Sequence, residues 1–465
     1  MDCRLLSLFM ISFFLYASIY AVHNFMFQIV KETGVIDKKK YCLLQLLYIF
    51  KFAGVVIFCN LGDRKGIHRY LVAINVVLYS VSILALYNLS SIASLRLRKA
   101  FVILTIVSSY IFISGTFPLL DSLTYNYLEH EGLDVRQSGR VRMGGALGNM
   151  FVQVVCSLLQ YCFSRRLRGE GTKNRENVIN ISCNLFFSAG TALIALLFAP
   201  NYVLGKKVIH APKKAWKVKK IFTDLISLLN PLLVLYTLAV LGQGIDRAGI
   251  STFLSKYLEN KGIERSYVHV LFFCRCIPEI LIYGLSQQIE SVLGMNTMFL
   301  LSVIISSSRS FFYSSYNFNN SPGTLKAITV IAEIFKGFYS SFFNYCGLRI
   351  FRSFATDDTL SLAQGIFNGT YNALSYFTFA FLGYFLVDYE KAGQPDADED
   401  IRHLFFVVAC ISCVSIIAPI VAIVKRRLSR KEIHKNNELQ PKPAEIEYPY
   451  DVPDYAYPYD VPDYA

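Results

Sequence analysis

The chain has 465 residues, 54% of them hydrophobic and only 17% charged, with a mean hydropathy of +0.41 and a formal net charge of +13. A soluble domain carries roughly 25% charge, so this composition excludes a water-soluble globule. The longest basic cluster lies between apolar runs, where cytoplasmic loops of membrane proteins lie, and this argues against nucleic-acid binding.

A bilayer span needs about 20 apolar residues at roughly 1.5 Å each. The first run, Leu5 to Val30, is too long for the apolar part of a signal peptide and has no small-residue cleavage site, so it reads as a span. In chain order the expected spans are 5–30, 41–61, 70–90, 100–127, 143–163 and 179–200, then 228–256, 267–290, 294–315, 325–350, 361–387 and 402–424. The expected fold class is therefore an all-α membrane protein, with twelve transmembrane helices in two pseudo-symmetric six-helix bundles.

The bundles are expected over 1–200 and 228–424, joined by a cytoplasmic linker at 201–227. That linker carries Lys206, Lys207, Lys213, Lys214, Lys217, Lys219 and Lys220 and no acidic residue from Asn201 to Ile221. Its part from Lys213 to Leu229 reads as a basic amphipathic helix on the membrane surface. A basic tail follows at 425–447, with Lys425, Arg426, Arg427, Arg430 and Lys431. Both basic segments place linker and tail in the cytoplasm, and an even number of spans places the N-terminus there too. Lys38 to Lys40 and Arg165 to Arg168 fall in predicted outer loops, so the bias is modest, while Asp388 to Asp400 on the last outer loop agrees with it. Residues 448–465 are two copies of YPYDVPDYA, a tandem epitope tag that is not native sequence.

The eleven cysteines sit mostly inside apolar runs and read as small buried hydrophobes. Cys274 and Cys276 are close, but without a nearby His or further Cys they make no zinc site. The seventh span presents a choice, because Ile221 to Leu258 is apolar for too long to cross once. Pro231 offers a break, which starts the span near Asn230 and leaves Asp246 at mid-depth. Gly242, Gly244 and Gly249 predict a locally weakened helix there. Gly144 with Gly148 in the fifth span, and Gly365 with Gly369 in the eleventh, are small faces at matching places in the two halves. The match suggests an internal repeat.

Charges inside spans are costly and are usually functional or paired. The acidic ones are Asp121, Asp246, Glu279 and Glu333; the basic ones are Lys51, Arg142, Arg247, Arg275, Arg309 and Lys336. Spacing predicts pairs between Arg275 and Glu279 and between Glu333 and Lys336. Asp246 and Arg247 are adjacent and should find different partners. Lys51 lies about ten residues from either end of its expected span, too deep to reach water easily. His23 and Asn24 are polar groups of the first span, read as hydrogen bonding to a neighbouring helix ahead of a proton relay.

Two motifs carry a family resemblance. Leu61-Gly-Asp-Arg-Lys-Gly-Ile-His-Arg69 resembles the D-R-x-G-R/K core of the loop after the second span in the major facilitator superfamily, with Cys59 where the family has glycine. Phe117-Pro-Leu-Leu-Asp121, then Gly139-Arg-Val-Arg-Met-Gly-Gly-Ala-Leu-Gly-Asn149, is similar to the lactose-permease branch and its oligosaccharide and nucleoside relatives. That resemblance implies a secondary transporter, in which Asp63 latches neighbouring helices, Asp121 binds substrate and Arg142 is its partner. Asn149 stands where the sugar transporters place a tryptophan, and Trp216 in the linker is the chain's one tryptophan, so the galactoside platform is gone. The family's proton-carrying His and Glu of the tenth span are also unmatched.

The reading expects Asp121, Arg142, Asn149, Tyr125, Asp246 and Glu279 at substrate, and Asp63, Arg64, Lys51, His23, Arg309, Glu333 and Lys336 in coupling or gating. No P-loop, metal site or nucleophile elbow is present in the sequence, so an enzyme is not expected. No cofactor is expected either, with a proton gradient as the candidate driving force. Carboxylates among tyrosines and phenylalanines favour an organic cation such as a polyamine, ahead of a sugar or nucleoside. A non-transporting receptor or scaffold is the competing class. The expected partners are a small-molecule substrate and the lipid bilayer, with a monomer in the plasma membrane.

Overall fold

The computed structural model describes residues 3–23, 26, 29–30, 33–35, 44–166, 172–199, 228, 230–260, 267–315, 322–356, 359–387, 396–425 and 428. Asn24, Lys38 to Lys40, the linker and its expected surface helix, most of the basic tail and the tags lie outside them, as do the side chains of Arg165 to Arg168. A compact unit spans Met1–Ala422. A second unit, Ile423–Ala465, is described only at Ile423 to Lys425 and Leu428, all helical.

Among the described residues all regular structure is helical. In a hydrocarbon layer a helix satisfies its backbone N–H and C=O groups within its own segment. The elements are α1 (Cys3–His23), α2 (Tyr48–Lys65), α3 (His68–Asn88), α4 (Leu95–Ser114), α5 (Thr116–His130), α6 (Ser138–Arg166) and α7 (Thr172–Leu197). They continue with α8 (Pro231–Asn260), α9 (Tyr267–Gly284), α10 (Ser286–Leu293), α11 (Met295–Ser315), α12 (Pro322–Ser353), α13 (Leu360–Gly369), α14 (Ser375–Leu386) and α15 (Asp396–Val414). Taking α4 with α5, α9 with α10, and α13 with α14 as single rods gives twelve among the described residues. Among the described residues seven helices are long and apolar enough to cross a membrane, and the pair Val270–Gly284 and Ser286–Leu293, bent by 69°, makes an eighth if it is one span.

Rod positions follow the apolar runs closely, and α8 starts at Pro231 as its proline predicts. One local expectation fails. Gly242, Gly244 and Gly249 do not weaken α8, which runs unbroken. They seat it against Ser415, Ser375 and Val408 respectively, where a Cβ would crowd the neighbour.

The paired glycines do pack helices closely, but they do different jobs. Gly144 and Gly148 lie against Phe9 and Phe13 of α1, inside the first half of the chain. Gly365 and Gly369 lie against Cys59, Val55 and Phe52 of α2, joining the second half to the first. Buried apolar side chains form one cluster from Leu5 to Ala199 and another from Ile245 to Val408. A third adds Ala146 to residues between Leu228 and Ala422.

Candidate functional site

Helix α1 places Tyr16, Tyr20 and His23 on one face by their spacing of four and three. The Tyr20 ring lies 5.9 Å from Tyr16 and 5.8 Å from His23. Lys51, Arg247, Arg275 and Lys336 are all within electrostatic reach of the His23 ring. Polar side chains of α1, α2, α8, α9 and α12 thus act on one electrostatic layer.

Most charges in this layer are paired. Arg275 Nε lies 3.6 Å from Glu279, four residues along α9, and Glu279 also accepts from Ser340 Oγ at 2.7 Å. Glu333 is shared, taking Arg309 directly and Lys336 at 3.7 Å. Asp246 is fully buried and accepts from Ser306 Oγ at 2.6 Å and from Ser310 Oγ. Its neighbour Arg247 turns elsewhere, donating to Asn372 Oδ1 with its guanidinium 4.7 Å from the Tyr371 ring. Tyr371 and Asn372 belong to the π-helical segment Thr370–Leu374 between α13 and α14. The wider turn shifts side chains off the α-helical register, which is why such segments recur at functional sites. Lys51 Nζ stands 5.4 Å from the Tyr48 ring. Among the described residues neither Lys51 nor Arg247 has a carboxylate in ion-pair distance.

One end of the bundle is held by Asp63. Gly66 ends α2 with φ 64°, and its N–H reaches the Gly62 carbonyl at 2.8 Å, the tight turn the sequence predicts. Asp63, one turn earlier, accepts from the backbone N–H groups of Ser361 and Leu362, each at 3.1 Å. Those are unsatisfied donors at the start of α13, where the helix dipole also favours a carboxylate. Ser361 Oγ bonds Ser122 Oγ at 2.6 Å and lies 2.9 Å from His68 Nε2. Further polar bridges at this end are Arg352 with Glu129 at 2.8 Å, Gln287 Nε2 donating to Asp134 at 3.0 Å, and Tyr345 OH donating to the Arg136 carbonyl at 3.3 Å. At the opposite end Gln45 Nε2 donates to Thr252 Oγ1 at 3.0 Å, and the Tyr48 and Tyr376 rings stack 4.8 Å apart. First-half and second-half helices therefore touch at both ends of the layer.

The remaining expected site residues fall in three places. Asp121 binds Arg142 at 2.6 Å. That pair adjoins the latched end, since Ser122 holds Ser361 and Arg142 is four residues into α6. Tyr125 is buried there, with Ser138 Oγ donating to its hydroxyl at 3.3 Å and the Arg352 guanidinium 4.8 Å over its ring, so it does not line the charged layer. Asn149 is 2% exposed and accepts from Gln153 Nε2, one turn along α6. Arg64 is half-buried on the last turn of α2. Sequence reasoning missed Ser306, Ser310, Tyr371, Asn372 and Ser361, whose roles come from partners distant in the chain. The run Ser306-Ser-Ser308 in an apolar helix was the one available signal.

The model of the MFS_1 like family matches residues 5–394. Comparison with curated proteins gives no match. Similar solved structures include the nucleoside transporter NupG, at 15% identity and TM-score 0.60, covering 90% of this chain and 99% of that one. A structure described as a proton dependent oligopeptide transporter gives 13% identity and TM-score 0.63, covering 92% and 99%. The human organic anion transporter MFSD10 (TETRAN) gives 11% and 0.61, covering 90% and 99%. At these identities the structures establish a shared fold. With the family match over nearly the whole native chain, they make this protein an integral membrane transporter, a member of the MFS_1 like family of the major facilitator superfamily.

Proposed function

We propose that this chain carries a polar organic solute of nucleoside or sugar size by alternating access. Its two six-helix halves, 1–200 and 228–424, rock about the charged layer. The observation that carries this reading is that one polar layer, lined by Tyr20, His23, Lys51, Arg247 and Asn372, draws on both halves and is bounded by inter-half contacts at each end. The layer lies within one chain, so a monomer suffices. The basic linker and tail favour the plasma membrane orientation with both termini cytoplasmic, which makes the Asp63 latch the cytoplasmic end.

An organic cation has little to hold it. Asp121 and Glu333 are bound to arginines, Glu279 is shared by Arg275 and Ser340, and Asp246 is enclosed by two serines. Nucleosides, peptides and organic anions, the solutes named for structures of this fold, suit a basic, tyrosine-lined layer better than an amine does. Coupling to a proton gradient would rest on Asp246, the one buried carboxylate here held by hydroxyls and not by a direct cation bond.

The test is counterflow into liposomes holding the purified protein, with labelled uridine, UMP, glucose, glucose 6-phosphate and spermidine. Exchange of any nucleoside-type or sugar-type member, neutral or acidic, is expected. Exchange of spermidine alone restores the amine reading, and exchange of none removes the transport reading.

A further inference from the structure

We infer that the solute carries an anionic group, a carboxylate or a phosphate, seated between Lys51 and Arg247. This rests on the transport reading above and adds the sign of the solute's charge. Apart from the Arg349–Glu290 pair and charges near rod ends, six cations, Lys51, Arg142, Arg247, Arg275, Arg309 and Lys336, face four carboxylates, Asp121, Asp246, Glu279 and Glu333. Every carboxylate is already engaged, three by cations and Asp246 by two hydroxyls. The surplus falls on Lys51 and Arg247, both half-buried: the Tyr48 ring beside Lys51 stacks at 4.8 Å on Tyr376, which lies on the same rod as the Tyr371 ring beside Arg247.

Two like charges held together away from bulk water repel and lose hydration. Their aromatic neighbours, Tyr48 for Lys51 and Tyr371 for Arg247, attract a cation without neutralising it. Asn372 takes one donor of the Arg247 guanidinium, which has five in a planar fork suited to carboxylate or phosphate oxygens. The π-helical segment that presents both Asn372 and Tyr371 fixes the guanidinium plane beside the layer. An oxyanion there finds one cation from each half of the chain.

That division gives binding a mechanical consequence. Lys51 belongs to α2 and Arg247 to α8, so closing the halves over an empty layer brings two positive charges together. An oxyanion bridging them turns the same approach from unfavourable to favourable. It thereby binds the closed form more tightly than an open one, which is the condition for a ligand to shift a conformational equilibrium. An amine would add a third positive charge and oppose closure.

The experiment is a thermal-stability titration of the purified full-length protein against matched pairs: uridine with UMP, glucose with glucose 6-phosphate, and succinamide with succinate. Spermidine is added as the cationic arm. The acidic member of at least one pair should stabilise the protein where its neutral partner does not. The phosphate and carboxylate pairs show which oxyanion is preferred. Lys51→Met and Arg247→Gln should each weaken that binding by about ten- to a hundredfold, the worth of one charge-assisted bond. Lys51→Arg should keep most of it, which guards against a variant that merely misfolds. Equal stabilisation by neutral and acidic partners, stabilisation by spermidine alone, or undiminished anion binding in the folded double variant would each overturn the inference. If neutral solutes exchange in liposomes while acidic ones neither exchange nor stabilise, the anion seat fails and the transport reading stands. If no solute exchanges, the transport reading fails first.

Discussion

Replacing Asp63 by alanine should open the latched end, and a native cysteine is placed to report it. The carboxylate accepts two backbone N–H groups at the start of α13. Hydrogen bonds to a charged group contribute about 1.5–3 kcal/mol each. Part is offset, because the freed amides hydrate and a buried carboxylate no longer has to be desolvated. A net loss of about 2–4 kcal/mol from the closed form shifts the conformer ratio by roughly 30- to 700-fold. Cys59 is fully buried one turn from Asp63 on α2, against Gly365 of α13. Separation of α2 from α13 exposes it to a water-soluble maleimide. When closing is faster than alkylation, the labelling rate tracks the open population, so it should rise by at least tenfold, read by peptide mass spectrometry. Cys156, buried in α6 away from the latch, is the control for general loosening. A Cys59 rate within twofold of the parent's, or an equal rise at Cys156, would refute the latch argument.

Three further expectations concern other parts of the structure. Asp121→Asn or Arg142→Gln alone leaves one partner of a mostly buried pair unmatched, at a cost of about 3–5 kcal/mol; the double variant should regain most of the lost melting temperature, and equal losses in all three would show no coupling. Gly148→Val forces a side chain to within 3.0 Å of the Phe13 Cα and should destroy the monodisperse elution peak. Gly323→Val, where nothing lies within 4 Å of the Cβ position, should leave that peak intact, and an intact Gly148→Val protein would contradict the α1–α6 packing. Asp246→Asn should abolish accumulation driven by a pH gradient while leaving counterflow, and persisting accumulation would place the coupling proton elsewhere.

Much of the architecture was legible in the sequence because hydropathy reports each span independently of its neighbours. Pro231 marked the start of α8, and Gly66 the turn after α2, because both residues constrain the backbone locally. Charges three or four apart, Glu333 with Lys336 and Arg275 with Glu279, were legible for the same reason. The Asp121–Arg142 partnership came through resemblance to the lactose-permease branch, and the structure holds it as a direct ion pair. Partners remote in the chain were not legible. Ser306 and Ser310 read as ordinary helix serines until α11 sets them beside Asp246, and nothing local distinguishes the π-helical Thr370–Leu374 from the α-helix on either side. Nor does the sequence show that α5 and α6 turn Tyr125 and Asn149 into packed surroundings.

The central claim is that solute crosses only as the two halves separate alternately at each end. The direct measurement is counterflow through Glu129→Cys/Arg352→Cys protein, whose parent side chains pair at 2.8 Å across the latched end. A short cross-linker with a reducible disulfide joins the two positions, and parent protein treated identically controls for the native cysteines. The account predicts that cross-linking stops counterflow and that reduction restores it. Counterflow continuing at the uncross-linked rate through fully joined protein would contradict it.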